Sequence, residues 1–296
     1  MSDDWQRLLE RAHGLLDRLE ELLPPPRPEP DFAAVTAFRW RDGERGGGFL
    51  EPVAHPHGIR LDDLRGIDEQ KQALDRNTRQ FLAGLPANNA LLWGSRGTGK
   101  SSLVKALLNE HAGDGLRVIE VEKHQLINLP AIVRALDGRP ERFLLFCDDL
   151  SFEAGESAYK GLKAALDGSV AAAPENALVY ATSNRRHLMP EFQQENQQSR
   201  VVGGEVHHGE TVEEKISLSD RFGLWLSFHP FNQDLYLEAV EHWLERFGIA
   251  PADAGGREDI RRRALQWALA RGARSGRVAW QFARDAAGQL GLDRTR

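Results

Sequence analysis

The 296-residue chain predicts an α/β fold, a doubly wound, mostly parallel five-stranded sheet followed by a small all-helical C-terminal domain. Three observations carry that prediction. From Ala90 onward, short apolar runs alternate with helix-prone stretches. A glycine-rich octapeptide, Gly94–Ser101, sits between the first such run and the first such helix. After Pro230 no strand pattern remains. Strands buried on both faces and joined by helical crossovers give a parallel sheet with helices on both sides.

At the N-terminus, Trp5, Leu8, Leu9, Ala12, Leu15, Leu16, Leu19, Leu22 and Leu23 recur at helical spacing and predict an amphipathic helix. The proline-rich run from Pro24 to Pro30 ends that helix and forms a stiff linker, so residues 1–30 are one segment. Its apolar stripe either docks on the chain's own core or serves a partner. Residues 31–60 hold V-T-A-F-R-W-R and F-L-E-P-V around D-G-E-R-G-G-G, two β segments with a loose glycine turn, read as a β-like extension. Asp62 to Gly84, with Leu64, Ile67, Leu74 and Phe81 at roughly helical intervals, predicts a helix. The strands expected next are Ala90–Trp93, Leu116–Val121, Phe143–Cys147, Leu178–Thr182 and Leu224–Phe228, with helices after Ser101, Asn128, Glu156 and Thr211. They define an α/β domain over 61–229. Within it, 190–219 is Gln-rich with few large apolar residues, and reads as a loop or insertion. Helical patterns at Gln233–Phe247, Glu258–Ala270 and Arg277–Leu290 make 230–296 the helical domain.

Apolar residues form 41% of the chain and charged residues 28%, the balance of a globular protein. With 38 basic and 44 acidic residues the net charge is −6, so no global basic field points to nucleic acid. The single cysteine, Cys147, precludes an intrachain disulfide and suits a reducing compartment. No apolar run approaches the ~18 residues of a membrane span, and M-S-D-D-W-Q lacks the apolar core of a signal peptide. The expectation is a cytoplasmic enzyme with no membrane partner.

The octapeptide G-S-R-G-T-G-K-S, between apolar Ala90–Trp93 and a helix, has the context of a phosphate-binding loop. Its glycines let backbone N–H groups wrap phosphates at a helix N-terminus. Gly94, Ser95, Arg96, Gly97, Thr98, Gly99, Lys100, Ser101 and Ser102 are therefore the candidate phosphate contacts. Lys100 reaches terminal phosphates and the Ser101 hydroxyl holds magnesium. A second segment, F-L-L-F-C-D-D, is an apolar strand delivering acids to the carboxyl edge of the sheet. Asp148 would orient magnesium and Asp149 would polarise a hydrolytic water, with Glu153 a second candidate base. A third, L-V-Y-A-T-S-N, ends a buried strand in Asn184, whose amide can contact both a γ-phosphate and the attacking water.

In this order, the three segments resemble the AAA+ branch of P-loop ATPases, from about Leu61 to Leu290. The resemblance implies that Gly94–Ser101 is Walker A, Asp148 and Asp149 are Walker B, and Asn184 is sensor 1. It also implies that Arg221, in S-L-S-D-R-F-G, is an arginine finger acting in a neighbouring subunit. Arg277, in R-S-G-R-V-A-W-Q-F, matches the sensor 2 arginine of a helical lid. Leu61–Ile67, with Gly66 and Ile67, is similar to the segment that packs beside adenine. The stretches F-C-D-D-L-S-F-E and A-T-S-N-R-R-H-L are similar to a bacterial AAA+ family of undescribed role. ATP and Mg2+, a homo-oligomer, and remodelling or loading of a macromolecular client follow as expectations. Two departures stand out: Asp149 occupies a place where most of these hydrolases carry Glu, and 37 residues separate Asn184 from Arg221. Glu120–His124 is polar where a pore loop would lie. A P-loop kinase and a non-hydrolysing, ATP-gated scaffold are the alternative readings. The pairs His55/His57 and His207/His208 lack zinc-site spacing, and Cys147 reads as an apolar filler.

Overall fold

The computed structural model describes residues 5, 11–14, 29–43, 47–152, 156–167, 175–186, 188, 200–202, 205–207, 218–249 and 254–294. The chain divides into two compact units, Met1–Asp31 and Phe32–Arg296. The N-terminal helix expected before Pro24 lies almost wholly outside the described residues, and so does most of the helix expected after Thr211.

In the larger unit, the segment before Ala90 supplies two strands, β1 (Ala37–Asp42) and β2 (Gly48–Pro52). The five strands expected from the alternation all form, as β3 (Ala90–Gly94), β4 (Leu116–Glu120), β5 (Arg142–Cys147), β6 (Ala177–Ser183) and β9 (Leu224–Phe228). Together they make one sheet of seven strands, ordered β2-β1-β4-β5-β6-β3-β9, not five. Only β2 runs antiparallel, against β1. The extra pair has a physical reason. A sheet ending at β4 would leave a row of unpaired backbone groups, and β1 covers that edge by parallel pairing. Phe38 and Trp40 of β1 alternate inward, and Phe32 bridges Phe38 and Phe143 at ring separations of 4.9 and 5.0 Å. Within the 190–219 insertion, β7 (Arg200–Val202) and β8 (Glu205–His207) form a separate antiparallel ladder.

Helices α1 (Asp68–Leu82), α2 (Lys100–His111), α3 (Leu129–Leu136) and α4 (Ser157–Asp167) flank the sheet. The central strands bury both faces, and successive residues feed opposite cores. Leu91, Ile119, Leu145 and Ala181 face one core; Leu92, Val118, Leu144 and Tyr180 face the other. The helix expected from Asp62 is broken. A short 3-10 turn, Leu61–Asp63, precedes a kink at Gly66 (φ +70°), and α1 begins only at Asp68. That break frees Leu64 and Ile67 to turn inward and be buried, away from the axis of α1.

After β9 come α5 (Gln233–Arg246), α6 (Ala254–Ala270) and α7 (Gly276–Arg294). Asn232 caps α5 by accepting from the Leu235 N–H at 2.9 Å. The three helices share an apolar core of their own that includes Tyr236, Val240, Ala264, Ala279 and Phe282. Removing the buried Phe38 ring, which packs against Phe32, should cost about 3–5 kcal/mol, so Phe38→Ala should lower the urea midpoint sharply. A loss below ~1 kcal/mol would mean that β1 is not an integral strand.

Candidate nucleotide-binding site

The loop between β3 and α2 owes its shape to its glycines. Gly94, Gly97 and Gly99 have φ of +131°, +75° and +104°, a region that side-chain-bearing residues rarely adopt. At Gly94 the constraint is also steric, since a Cβ would lie 2.0 Å from the carbonyl oxygen of Phe228 on β9. The Ser95 N–H donates to that same oxygen at 3.1 Å, and the Thr98 hydroxyl donates to the Ser95 carbonyl at 2.8 Å. The loop is therefore stitched to β9 on one side and to itself on the other.

Lys100, the first residue of α2, turns its ammonium back into the loop. It donates to the carbonyls of Gly94 (2.7 Å) and Ser95 (2.8 Å) and to Oδ1 of Asn184 (3.2 Å). Burial lowers its pKa from the ordinary 10.5; Asp149 and Asp148 oppose the shift, while Arg277 and Arg96 add to it. Next along α2, the Ser101 hydroxyl donates to Asp148 Oδ1 at 2.6 Å. The Asn184 amide N–H donates to Asp149 Oδ1. Asp149 has φ of +52°, the single positive value among the described non-glycine residues. Cys147, just before these acids, is buried, and its thiol is pushed up to about 12 by burial, with Asp148 contributing. It stays neutral, as an apolar filler should.

These groups line one end of a cleft of about 620 Å³. Arg96, Gly97, Thr98, Gly99, Lys100, Ser101, Ser102, Asp148, Asp149, Asn184, Ile67 and Arg277 all contribute to its wall. Gly94 and Ser95 lie beneath it and act through their carbonyls. Gly66 is not part of the wall; its left-handed turn packs against Leu235 of α5 and aims Ile67 toward Gly99. Arg277 enters by its backbone too, with its N–H donating to the Gly97 carbonyl at 3.1 Å. Arg221 is not brought into this cleft. It precedes the amino end of β9, whereas the loop leaves the carboxyl end of the parallel strand β3. Glu153 lies outside the described residues.

A model of a protein family matches residues 33–290, and that family is described as a protein of unknown function, DUF815. The chain belongs to the DUF815 family. No curated protein matches this DUF815 chain. A solved structure of a proline-to-glycine variant of Thermotoga maritima RuvB resembles it with a TM-score of 0.52 and 15% identity, over 80% of this chain and 67% of that one. A second Thermotoga maritima structure, the RuvB Holliday junction branch migration motor, gives a TM-score of 0.44 at 15% identity, over 76% and 71% of the two chains. The first likeness establishes a RuvB-like fold for the DUF815 chain.

Several wall residues have no counterpart in the sequence reading. His57 and Ile59 reach the cleft on a strap that Asn109 of α2 pins, its amide donating to the carbonyls of His57 (2.7 Å) and Ile59 (2.6 Å). Trp243 of α5 and Trp280 of α7 line the cleft from the helical side. Thr182, two residues before Asn184, contacts Asp148 and the Asp149 backbone. The signal for Thr182 was present, because residues two apart share a strand face. Nothing local marks the others.

The lowered Lys100 pKa gives this arrangement a measurable consequence. A bound polyanion restores the charged form, so binding takes up a proton where free Lys100 is partly neutral. Calorimetry of inorganic triphosphate at pH about 10, near the ordinary lysine value, in buffers of different ionisation enthalpy, should show that uptake. Lys100→Arg, charged throughout, should bind without it.

Proposed function

We propose that the chain is a magnesium-dependent ATPase whose nucleotide occupies this cleft, with the phosphates on the Gly94–Ser101 loop. The observation that carries the reading is the meeting of Lys100, Ser101, Asp148, Asp149 and Asn184, from three separate segments, at one end of one cleft. The donor set fits magnesium. The Ser101 hydroxyl and the Asp148 carboxylate are hard oxygen ligands, 2.6 Å apart, with room for water beside them. When bound, magnesium neutralises charge on the terminal phosphates. Lys100 offers its ammonium to the same phosphates, exchanging carbonyl oxygens for phosphate oxygens. Asp149 accepts the proton of the attacking water, and the Asn184 amide, held between Lys100 and Asp149, orients that water.

Ile67 and the strap at His57–Ile59 form the end of the cleft suited to a nucleobase. α7 couples the helical unit to nucleotide state, because its first turn hydrogen-bonds the loop through Arg277 N–H and Gly97 O. In this reading residues 230–296 are the lid, and the Arg277 side chain contacts phosphate. Arg221 serves a neighbouring copy's site, which its place at the opposite sheet edge supports. Turnover then requires a homo-oligomer, and the work is the remodelling or loading of a macromolecular client. No described helix is long and apolar enough to cross a membrane.

Phosphate release measured against protein concentration tests the proposal. Specific activity should rise with concentration as copies assemble, and Lys100→Ala should lose nucleotide binding. Asp149→Asn should still bind ATP while hydrolysis falls at least about 100-fold. Transfer of phosphate to an acceptor would instead make the chain a kinase, and binding without release would make it an ATP-gated scaffold. Separately, Arg221→Ala should bind ATP normally yet lose the concentration-dependent turnover; retained concentration-dependent turnover would exclude the finger role.

A further inference from the structure

The acids that follow β5 stand on a turn, and β6 holds that turn in place. The Leu150 N–H donates to the Thr182 carbonyl at 2.7 Å, and the Ser183 hydroxyl donates to the Leu150 carbonyl at 2.7 Å. Between these two ties sits the Thr182 hydroxyl, on a residue only 1% exposed. It lies 2.6 Å from Asp148 Oδ1 and 2.8 Å from the Asp149 backbone nitrogen.

The direction of both bonds is fixed by chemistry. A backbone N–H can only donate, and an ionised carboxylate can only accept. The Thr182 oxygen therefore accepts from Asp149, and its one proton goes to Asp148. Asp148 Oδ1 also receives the Ser101 hydroxyl, so one carboxylate oxygen is held from the loop side and from the β6 side at once. The second bond bears on conformation. Asp149 sits at φ +52°, and a left-handed backbone at a non-glycine residue persists only where its surroundings impose it. Thr182 lies near the end of β6 and Asn184 just past it, two residues on, and both reach the acids. The first holds the Asp149 backbone and the second its carboxylate.

We propose that Thr182 is a positioning residue that sets both acids together, the Asp148 side chain through its O–H and the Asp149 backbone through its oxygen. The consequence for metal binding rests on the nucleotide reading above; the consequence for the turn does not. Outer partners of metal-orienting carboxylates typically matter by about 10–100-fold in metal affinity. Thr182→Val keeps the shape and removes the hydroxyl, while Thr182→Ser keeps the hydroxyl.

Two measurements on the full chain decide the matter. The first is Mn2+ titration of the ADP complex followed by electron paramagnetic resonance, with ADP affinity in EDTA as control. The second is hydrogen–deuterium exchange of the peptide carrying Asp149 and Leu150, without nucleotide. In Thr182→Val the Mn2+ affinity should fall about 10–100-fold with ADP affinity in EDTA unchanged, and the Asp149 amide should exchange faster. Thr182→Ser should stay close to the parent in both. The proposal is overturned if Thr182→Val keeps parental Mn2+ affinity and amide protection, or if Thr182→Ser loses as much as Thr182→Val. If Thr182→Val does not fold, Thr182→Ala against Thr182→Ser makes the same comparison. Should the parent protein bind no nucleotide, the ATPase reading fails, and the exchange experiment alone still decides whether Thr182 holds the turn.

Discussion

A buried ammonium group organises the carboxyl edge of this sheet. The three N–H donors of Lys100 must find oxygens, because an unpaired charge taken out of water costs several kcal/mol. They find the Gly94 carbonyl, the Ser95 carbonyl and the Asn184 amide oxygen. The first two are available only because the loop curls back under its own helix, which needs positive φ at Gly94, Gly97 and Gly99. The third is available only because β6 lies beside β3 in parallel register, with Trp93 opposite Ser183. Loop, strand order and side chain are thus mutually dependent.

From Asn184 the dependence passes to the acids. Its amide N–H holds the Asp149 carboxylate while its oxygen holds Lys100, so cation and anion are separated by one side chain. Thr182 secures the same turn from beneath. β5, which carries the acids, is central in the sheet, between β4 and β6. A central strand is buried on both faces and moves little, which is a suitable mount for groups that must keep fixed distances. The helical unit meets the loop through the backbone hydrogen bond from Arg277, and meets the segment before α1 through Leu235 against Gly66 and through His242 and Arg246, each 3.1 Å from Asp63 Oδ1.

Strands β3, β4, β5, β6 and β9 were legible because a doubly covered parallel strand must be apolar throughout, and a run such as Phe143–Cys147 has few other uses. The hairpin at β1 and β2 was legible as strand, yet not as part of the sheet. Sheet membership depends on which edge stands open, and no residue in V-T-A-F-R-W-R encodes the identity of β4. The predicted helix from Asp62 failed for a related reason: Leu64 and Ile67 fit helical spacing, but Gly66 lets the chain turn so that both join the cleft wall.

By itself, then, the sequence determined the mostly parallel α/β class, the glycine loop between strand and helix, and the residue types that meet at the cleft. Those features need particular side chains at short spacings, and glycine, lysine and paired acids leave a local mark. Tertiary structure alone decided which carbonyls satisfy Lys100, that Thr182 ties both acids, that Asn109 pins the strap at His57, and that Arg221 stands away from this cleft. Each of these joins residues that are distant in sequence or fixes which end of a strand a side chain occupies. Such relations come into being when the strands choose their neighbours in the sheet, and a linear pattern carries no record of that choice.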